Sequence, residues 1–393
     1  MKLTPTEVNA SKRIRVVDNQ IVFAAGRLDI DDLGMIKNPG DISAQVSGII
    51  AALELSLRKI DVSLAALVKL VVYYVQIDVD EIQLRQHLGQ CLGTDVHTTV
   101  TFVPLRQLRC SGALAEIEAI AMLGDSARDV IVHGNLVEPG VGFCHGLKCG
   151  EFSFLSGQSS ASRDSTILFA DDLVSQNQKT IENLQIVLQT MGVDNSDIVK
   201  VNSWRAPATD YAAYKKAADD RFSFLGAATP AVTGITIPRL NAIGYQIRLD
   251  LWAMDSQVQR TPINPPDHWG WKIATSYSHG LQVGPWLFVG GQAALDKDCV
   301  VQHPENILKQ IDVTKNFIEN IINHASGDYE MVKLNGLFCD STDPHPGSEI
   351  RQSLIDLFPD SQPITTFVPV DHLAYPQQTI ELDGIARLQT GDC

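Results

Sequence analysis

Basic residues are scarce in this chain: 31 Lys and Arg stand against 46 Asp and Glu in 393 residues, a formal charge of −15. A nucleic-acid binder draws its affinity mainly from neutralising phosphates, so this balance argues against one. Cysteine is scarce as well, with seven scattered residues and no CxxC pair, which fits a reduced, cytoplasmic protein. Long apolar runs are missing. The greasiest stretch, Leu64 to Val75, is broken by Lys69, and Met1-Lys2-Leu3-Thr4-Pro5 opens no run suited to a signal peptide, so no membrane association is expected. The histidines show neither HxH nor HExxH spacing, which predicts no metal site. Gly290-Gly291-Gln292 is followed by no Gly-Lys-Ser/Thr and is not a phosphate loop, and no cofactor is called for. What remains, 45% hydrophobic and 20% charged, is the balance of a chain that buries a core.

Internal repetition supplies the organisation. Gly26, Gly157 and Gly291 each follow an apolar, strand-like run and stand 131 and 134 residues apart. Gln45, Gln176 and Gln310 open helical patterns at the same two separations, and Val68-Lys69, Val199-Lys200 and Val332-Lys333 begin the next strand-like runs, with lysines 131 and 133 apart. Leu108, Leu240 and Leu373 each precede an acid, Glu118, Asp250 and Asp383, by ten residues. Four landmarks agree on one period, so the chain is three diverged copies of one unit. The expected boundaries are 1–127, 128–257 and 258–393.

The second unit reads most clearly. Phe152 to Ser156 is a strand ending at glycine, Leu173 to Met191 has helical spacing and stops at Gly192, and Val199 to Trp204 is a strand. Tyr211 to Phe224 is a second helix, and Ile235 to Ile237 and Ile247 to Leu251 close the unit as strands. A mixed sheet with two helices on one face follows, an α+β unit. In the last strand Ile117 and Ala119, Ile247 and Leu249, and Ile380 and Leu382 share one side, while Glu116 and Glu118, Arg248 and Asp250, and Glu381 and Asp383 share the other. The apolar side suits the helices. The other must meet water or neighbouring units, and three such units in one chain can close as an intrachain pseudo-trimer with ligand clefts at the seams. A monomer is expected, with higher homo-oligomers left open.

The order and spacing of these motifs resemble the RidA/YjgF (reactive intermediate deaminase) family across all three units. The residues that carry the resemblance are Phe143-Cys144-His145-Gly146 with Ser156-Gly157-Gln158, Tyr277-Ser278-His279-Gly280 with Gly290-Gly291-Gln292, Pro230-Ala231-Val232-Thr233, and Glu116-Ile117-Glu118-Ala119-Ile120-Ala121. The resemblance implies a chorismate-mutase-like fold, normally a trimer, with ligands in the inter-subunit clefts. It also implies an arginine before a V-x-V strand to hold the substrate carboxylate, but Val100, Val232 and Thr365 stand there, so hydrolysis of amino-acid-derived imines in the family's usual mode is not expected. The family's water-positioning glutamate matches Glu116 and Glu381, and in unit two the position is Arg248. Tyr277 matches the family's cleft tyrosine, and Phe143 keeps the ring without the hydroxyl.

His145 with His279 and Asn202 with Asn335 are shared by units two and three and absent from unit one, which has Ile14 and Val71 there. A histidine that titrates near neutrality is the usual proton carrier, whereas the plainer reading has these side chains satisfying backbone groups. Catalytic candidates are therefore His279, His145, Glu381 and Glu116. Substrate-binding candidates are Tyr277 and Phe143, the donors Asn202 and Asn335 with the backbone of Ser156-Gly157 and Gly290-Gly291, Trp204 as an aromatic wall, and Arg205 and Arg248 as anion forks. Asp343 to Gly347 reads as a turn-rich insertion over a cleft or a plain surface loop. Cys110, Cys144 and Cys339 read as inert core thiols before nucleophiles. The expected function is a cofactor-free, hydrolase-, deaminase- or lyase-like enzyme acting on an imine, enamine or amide-like small molecule at an inter-unit cleft. One alternative is a chorismatase-like enzyme on a fused version of the fold, with Arg205, Arg239 and Arg248 as its cations. The other is a non-catalytic metabolite binder.

Overall fold

The structure, a computed structural model, describes residues 9, 13–76, 79–124, 126–237, 240, 244–255, 257–271, 275–339 and 348–389. Asp343 to Gly347 and Arg239 therefore lie outside the described residues. The first sheet is built from β1 (Ile14–Val17), β2 (Ile21–Arg27), β3 (Leu67–Val75), β4 (Thr99–Leu105) and β5 (Ala115–Met122), in the order β1-β2-β5-β3-β4, with α1 (Ile42–Arg58) and α2 (Glu81–Leu92). The second contains β6 (Arg128–Ile131), β7 (Gly146–Cys149), β8 (Phe152–Leu155), the two-residue β9 (Gln158–Ser159), β10 (Ile198–Arg205), β11 (Ala231–Thr236) and β12 (Ile247–Met254), with α3 (Leu173–Met191) and α4 (Tyr211–Leu225). The third contains β13 (Arg260–Ile263), β14 (Gly280–Val283), β15 (Trp286–Gln292), β16 (Tyr329–Phe338), β17 (Ile364–Pro369) and β18 (Ile380–Leu388), with α5 (Ile307–His324) and α6 (Ser348–Ile355). Their orders, β11-β10-β12-β8-β7-β6 and β13-β14-β15-β18-β16-β17, repeat the first with one strand added at the edge. In each sheet the parallel pair is the one bridged by the second helix: β3 with β4, β10 with β11, β16 with β17. A parallel pair needs such a crossover.

The helices form where the spacing places them. Asp172 caps α3 by accepting the Ser175 N–H, and Gly192 ends it in the left-handed region at φ 66°, a conformation glycine adopts without a Cβ penalty. The landmark glutamines, all fully buried, fasten the first helix of each unit to the last strand. Gln176 donates to the Phe169 and Gly244 carbonyls and accepts from Gln246 N–H, and Gln45 and Gln310 make the same kinds of bond. The edge strands β6 and β13 escape the sequence reading. They begin at Arg128 and Arg260, whose guanidinium groups donate to Leu67 and His97 carbonyls and to Asp197 and Ile198 carbonyls of the preceding sheet.

One sheet face packs on its helices as expected. Ile117 and Ala119 meet α1, Ile247 and Leu249 meet α3, and Ile380 and Leu382 meet α5. The opposite faces meet one another. The pairing slips by a residue between Leu67 and Lys69, between Ile198 and Lys200, and between Met331 and Lys333. Such a bulge turns two successive side chains to the same side, so each Val-Lys pair points inward. Val68, Val199 and Val332 join Phe23, Phe154, Trp252, Trp286 and Phe288 in one cluster drawn from all three sheets. The lysines pair across the seams: Lys69 with Asp250 at 3.1 Å, Lys200 with Asp383 at 3.1 Å, and Lys333 with Glu118 at 2.8 Å. A second shared cluster lies beyond them, with Tyr73, Val103, Trp204, Ile235, Leu337 and Val368. Each sheet thus contacts both others, and among the described residues no helix is long and apolar enough to cross a membrane.

Candidate functional site

Seams between the sheets create two open clefts of unequal character. The one between the second and third sheets encloses about 150 Å³. Its floor carries Glu381, near the start of β18, where Gly291 at the end of β15 leaves space that a Cβ would take from the carboxylate. Glu381 is buried, and its pKa is pushed up to about 8 by burial first and by the neighbouring Asp383 second, with Gln378, Arg205 and Lys200 pulling the other way. Gln378 Nε2 donates to Glu381 in a long contact of 3.5 Å. Arg205, at the end of β10, lies over the Tyr214 ring with its guanidinium carbon 4.8 Å from the centroid, and Arg221 on α4 donates to Asn177 at 2.8 Å. Both guanidinium groups line the cleft with Tyr277, whose ring meets Phe222 edge-on at 4.9 Å. Trp269, Trp271 and Tyr375 complete an aromatic wall, and Val232 occupies the place where the resemblance implies an arginine.

A larger cavity, about 530 Å³, separates the first and second sheets. Arg248 fills the position of Glu381 here. Its two terminal nitrogens donate to the two oxygens of Glu81 at 3.0 and 2.9 Å, and it also bonds the Phe102 carbonyl, so this fork is engaged within the protein and is not the free anion ligand expected. Phe143, His145, Ser156 and Gly157 line the same space. Between the first and third sheets the corresponding carboxylate, Glu116, is fully buried 3.0 Å from Arg109 and lies beside the seam bond from Gly26 N–H to Thr366 Oγ1 at 3.1 Å.

Neither histidine is placed to carry protons. His145 accepts the His133 N–H on Nδ1 at 3.0 Å and donates from Nε2 to the Val137 carbonyl at 2.7 Å, and burial lowers its pKa. His279 donates from Nε2 to the Trp269 carbonyl at 2.9 Å, stacks on Trp271 with centroids 4.4 Å apart, and is held at a pKa of about 3 by burial and by nearby His268. With both His145 nitrogens bonded to backbone and the His279 pKa far below neutrality, these rings anchor the segments that roof the two clefts. Asn202, Asn335 and Trp204 are also displaced from expectation. They line a cavity of about 30 Å³ among the three seam lysines, where Asn202 and Trp204 donate to Asp250 and Asn335 donates to Asp383. Three of the candidate backbone donors are engaged within the protein: Ser156 and Gly290 N–H bond the His145 and His279 carbonyls, and Gly157 N–H bonds the Val100 carbonyl across the seam. Burial raises the Cys144 thiol to about 12, in keeping with an inert core residue.

The residues that sequence reasoning missed sit on helices and roof segments: Arg221 and Tyr214 on α4, Arg85 and Glu81 on α2, and Trp269 and Trp271. An arginine on a weakly amphipathic helix reads as solvated, and no signal in one sequence separates it from a seam residue. The roof is legible in part. The histidine anchor sets Val137 against Trp269 and Pro139 against Trp271, and the bulkier pair faces the smaller cavity.

A profile of the family described as endoribonuclease L-PSP matches residues 135–254 and 271–388. A RutC family protein of Pyrococcus abyssi is 25% identical over 114 residues, 29% of this chain and 87% of its own, and one of Pyrococcus horikoshii is 24% identical over 113 residues with the same coverage. A solved chorismatase, 13% identical, covers 82% of this chain and 93% of its own at a TM-score of 0.50, a likeness of fold.

Proposed function

The chain belongs to the endoribonuclease L-PSP family, the RidA/YjgF proteins, and from that premise we propose that it is a small-molecule enzyme that hydrolyses a carboxylate-bearing imine or enamine at the seam of its second and third modules. The modules are taken to be 1–127, 128–257 and 258–393, ringed about a pseudo-threefold axis in a cytoplasmic monomer. The observation that carries the reading is Glu381: a buried cleft carboxyl with a pKa of about 8, facing Tyr277 and two arginines. At neutral pH it holds its proton. A general acid works best with a pKa near the operating pH.

The steps follow from the groups present. Arg205 and Arg221 hold the substrate carboxylate, the role left vacant by Val232, with the bidentate geometry a guanidinium offers. Glu381 gives its proton to the imine nitrogen or the enamine carbon. Water then adds to the carbon of the resulting iminium, and the Glu381 carboxylate takes a proton from it. Glu381 then gives that proton to the carbinolamine nitrogen and takes the hydroxyl proton as the C–N bond breaks, so ammonia and a carbonyl compound leave and Glu381 is protonated again. Tyr277 and the tryptophans wall off bulk water. A cavity of about 150 Å³ suits a molecule about the size of benzene, and the −15 net charge disfavours RNA as a substrate.

The test is release of ammonia from freshly generated 2-iminocarboxylates, with Glu381→Gln expected to lower kcat/KM by about 10²–10⁴. Turnover unchanged in that variant sinks the reading. A chorismatase-like reaction is the second reading, favoured by two arginines in one cleft that could serve two carboxylates; loss of chorismate in the same preparation, with no ammonia released from iminocarboxylates, would select it.

A further inference from the structure

We propose that the first module carries a zinc site on its outer helical layer, where His87 and Cys91 of α2 and Ser47 of α1 hold one ion that ties the two helices together. His87 and Cys91 stand four apart, a spacing that neither HxH nor HExxH covers, and on a helix residues four apart lie on one face. None of the three lines either open cleft. Their polar atoms converge. Ser47 Oγ is 2.9 Å from His87 Nε2 and 3.5 Å from Cys91 Sγ, and Nε2 and Sγ are 3.6 Å apart. A tetrahedral zinc ion, with nitrogen at about 2.1 Å and sulfur at about 2.3 Å, sets those two atoms about 3.6 Å apart. The helix already holds them at the separation a shared ion requires. Nitrogen and hydroxyl oxygen stand closer than the roughly 3.4 Å of the same tetrahedron, because a hydrogen bond joins them. The Ser43 carbonyl, 2.9 Å from both Nε2 and Ser47 Oγ, lies beside the fourth position, which it or a water fills.

The donor types select the metal. A thiolate with an imidazole suits zinc and offers little to magnesium or calcium, which take oxygen ligands. No third His, Cys, Asp or Glu joins the pair among the described residues, so the ion keeps an exchangeable position and the site is open, not a closed structural one. Cys91 and His87 are half-buried and Ser47 is exposed, so the ion enters from solvent. Of the other described cysteines, four are buried, and Cys339 donates to the Asp371 carbonyl at 3.0 Å. The second module shows what this place in the fold otherwise holds. Gln178 of α3 stands 131 residues after Ser47 and donates to Asp220 of α4 at 3.0 Å, an ordinary hydrogen bond between the same two helices. A tie alone needs no more than that; a thiol and an imidazole add metal affinity. Protons balance simply. A carbonyl only accepts, so Nε2 bears the imidazole proton while it bonds Ser43. On coordination that proton moves to Nδ1, and the Cys91 thiol gives its proton to solvent.

The test uses the untagged, reduced full chain with Co²⁺ as a coloured stand-in and Zn²⁺ as competitor. Wild type is expected to give a near-ultraviolet sulfur-to-cobalt charge-transfer band that Zn²⁺ bleaches and Mg²⁺ does not, and calorimetry in two buffers is expected to find about one proton released per zinc. Cys91→Ser should abolish the band, His87→Gln should weaken zinc binding by roughly tenfold or more, and Cys393→Ser should leave both unchanged. Zinc should raise the Tm of wild type and leave that of Cys91→Ser where it was, which reads the tie between the helices directly. The substituted side chains lie at the surface, and circular dichroism checks that each variant folds. Absence of the band in wild type overturns the proposal. So does a band that survives Cys91→Ser, which places the thiolate elsewhere, and so does zinc affinity unmoved by His87→Gln, which leaves the cysteine acting alone.

Discussion

Replacing Glu381 with Gln tests the acid at the centre of the proposed chemistry without any knowledge of the substrate. A carboxyl with a folded pKa of about 8, against an ordinary value of 4.5, keeps its proton over a range in which the unfolded chain has lost it. Below pH 4.5 both states are protonated and the residue has no effect on stability. As pH rises towards 8 the unfolded state gains by ionising and the folded state does not, so stability present at low pH is lost through that window and is constant above it. At 1.36 kcal/mol per pH unit, about 3.5 pH units correspond to roughly 5 kcal/mol as an upper bound. Gln has no proton to lose. The difference in unfolding free energy between Glu381→Gln and wild type should therefore start near zero at pH 4.5 and grow in favour of the variant to several kcal/mol at pH 9. Urea denaturation of both proteins from pH 5 to 9 measures it, and titrating groups that do not interact with Glu381 cancel in the difference. A flat difference would mean that Glu381 ionises like a solvated carboxyl, and its role as an acid at neutral pH would fall with it.

The seam pairs predict a steep asymmetry: Asp383→Asn leaves the Lys200 charge buried without its partner at 3.1 Å and should cost about 3–5 kcal/mol, whereas Lys200→Met with Asp383→Leu should recover most of that in the same denaturation assay. His145→Ala strips the partners from the His133 N–H and Val137 carbonyl, which should lower stability by about 1–3 kcal/mol and leave the pH profile of ammonia release unmoved; an altered profile would restore the histidine as a proton carrier. Trp271→Gly removes the ring stacked on His279 and should open the smaller cleft, so that calorimetry finds 2-naphthoate gaining affinity relative to benzoate; equal ratios in wild type and variant would show that the tryptophan does not set the size limit.

Much of the fold was legible because its landmarks are themselves contacts. The repeated Val-Lys pairs mark bulges, and the acids ten residues after the landmark leucines are the partners of those lysines, so two periodic signals in the sequence are one ring of ion pairs in space. The glutamines opening each first helix are buried ties whose partners lie 7 and roughly 68 residues away. The site was less legible. Asn202 was assigned to a cleft, yet Lys200, Asn202 and Trp204 alternate on one strand and must share its inward face; what one sequence could not give is that this face meets the other two sheets and not the ligand. Arg205 has the opposite parity and does line a cleft. The histidines failed for a different reason. Their repetition in two units reflects a need in both, but that need is a carbonyl at Val137 and at Trp269, which no spacing announces.

A single position carries the argument for why three units are joined in one chain. Residues 116, 248 and 381 occupy equivalent places on their last strands, yet Glu116 is paired with Arg109, Arg248 is locked to Glu81, and Glu381 keeps a raised pKa in an open cleft. In a homotrimer one substitution there would change all three clefts together, so the acid could not be replaced by an arginine at one seam, paired with an arginine at a second and left in an open cleft at the third. Fusion removes that constraint for clefts and leaves it in force along the shared inner face. Lys69, Lys200 and Lys333 each serve the acid of another module, and the valines before them fill one common cluster. Losing any one lysine would strand a buried carboxylate on a neighbour, a cost no single module can relieve by itself. Divergence is therefore free where a residue faces a ligand and blocked where it completes another unit, which is why the inner lysines remain alike while the two open clefts differ in charge, volume and roof.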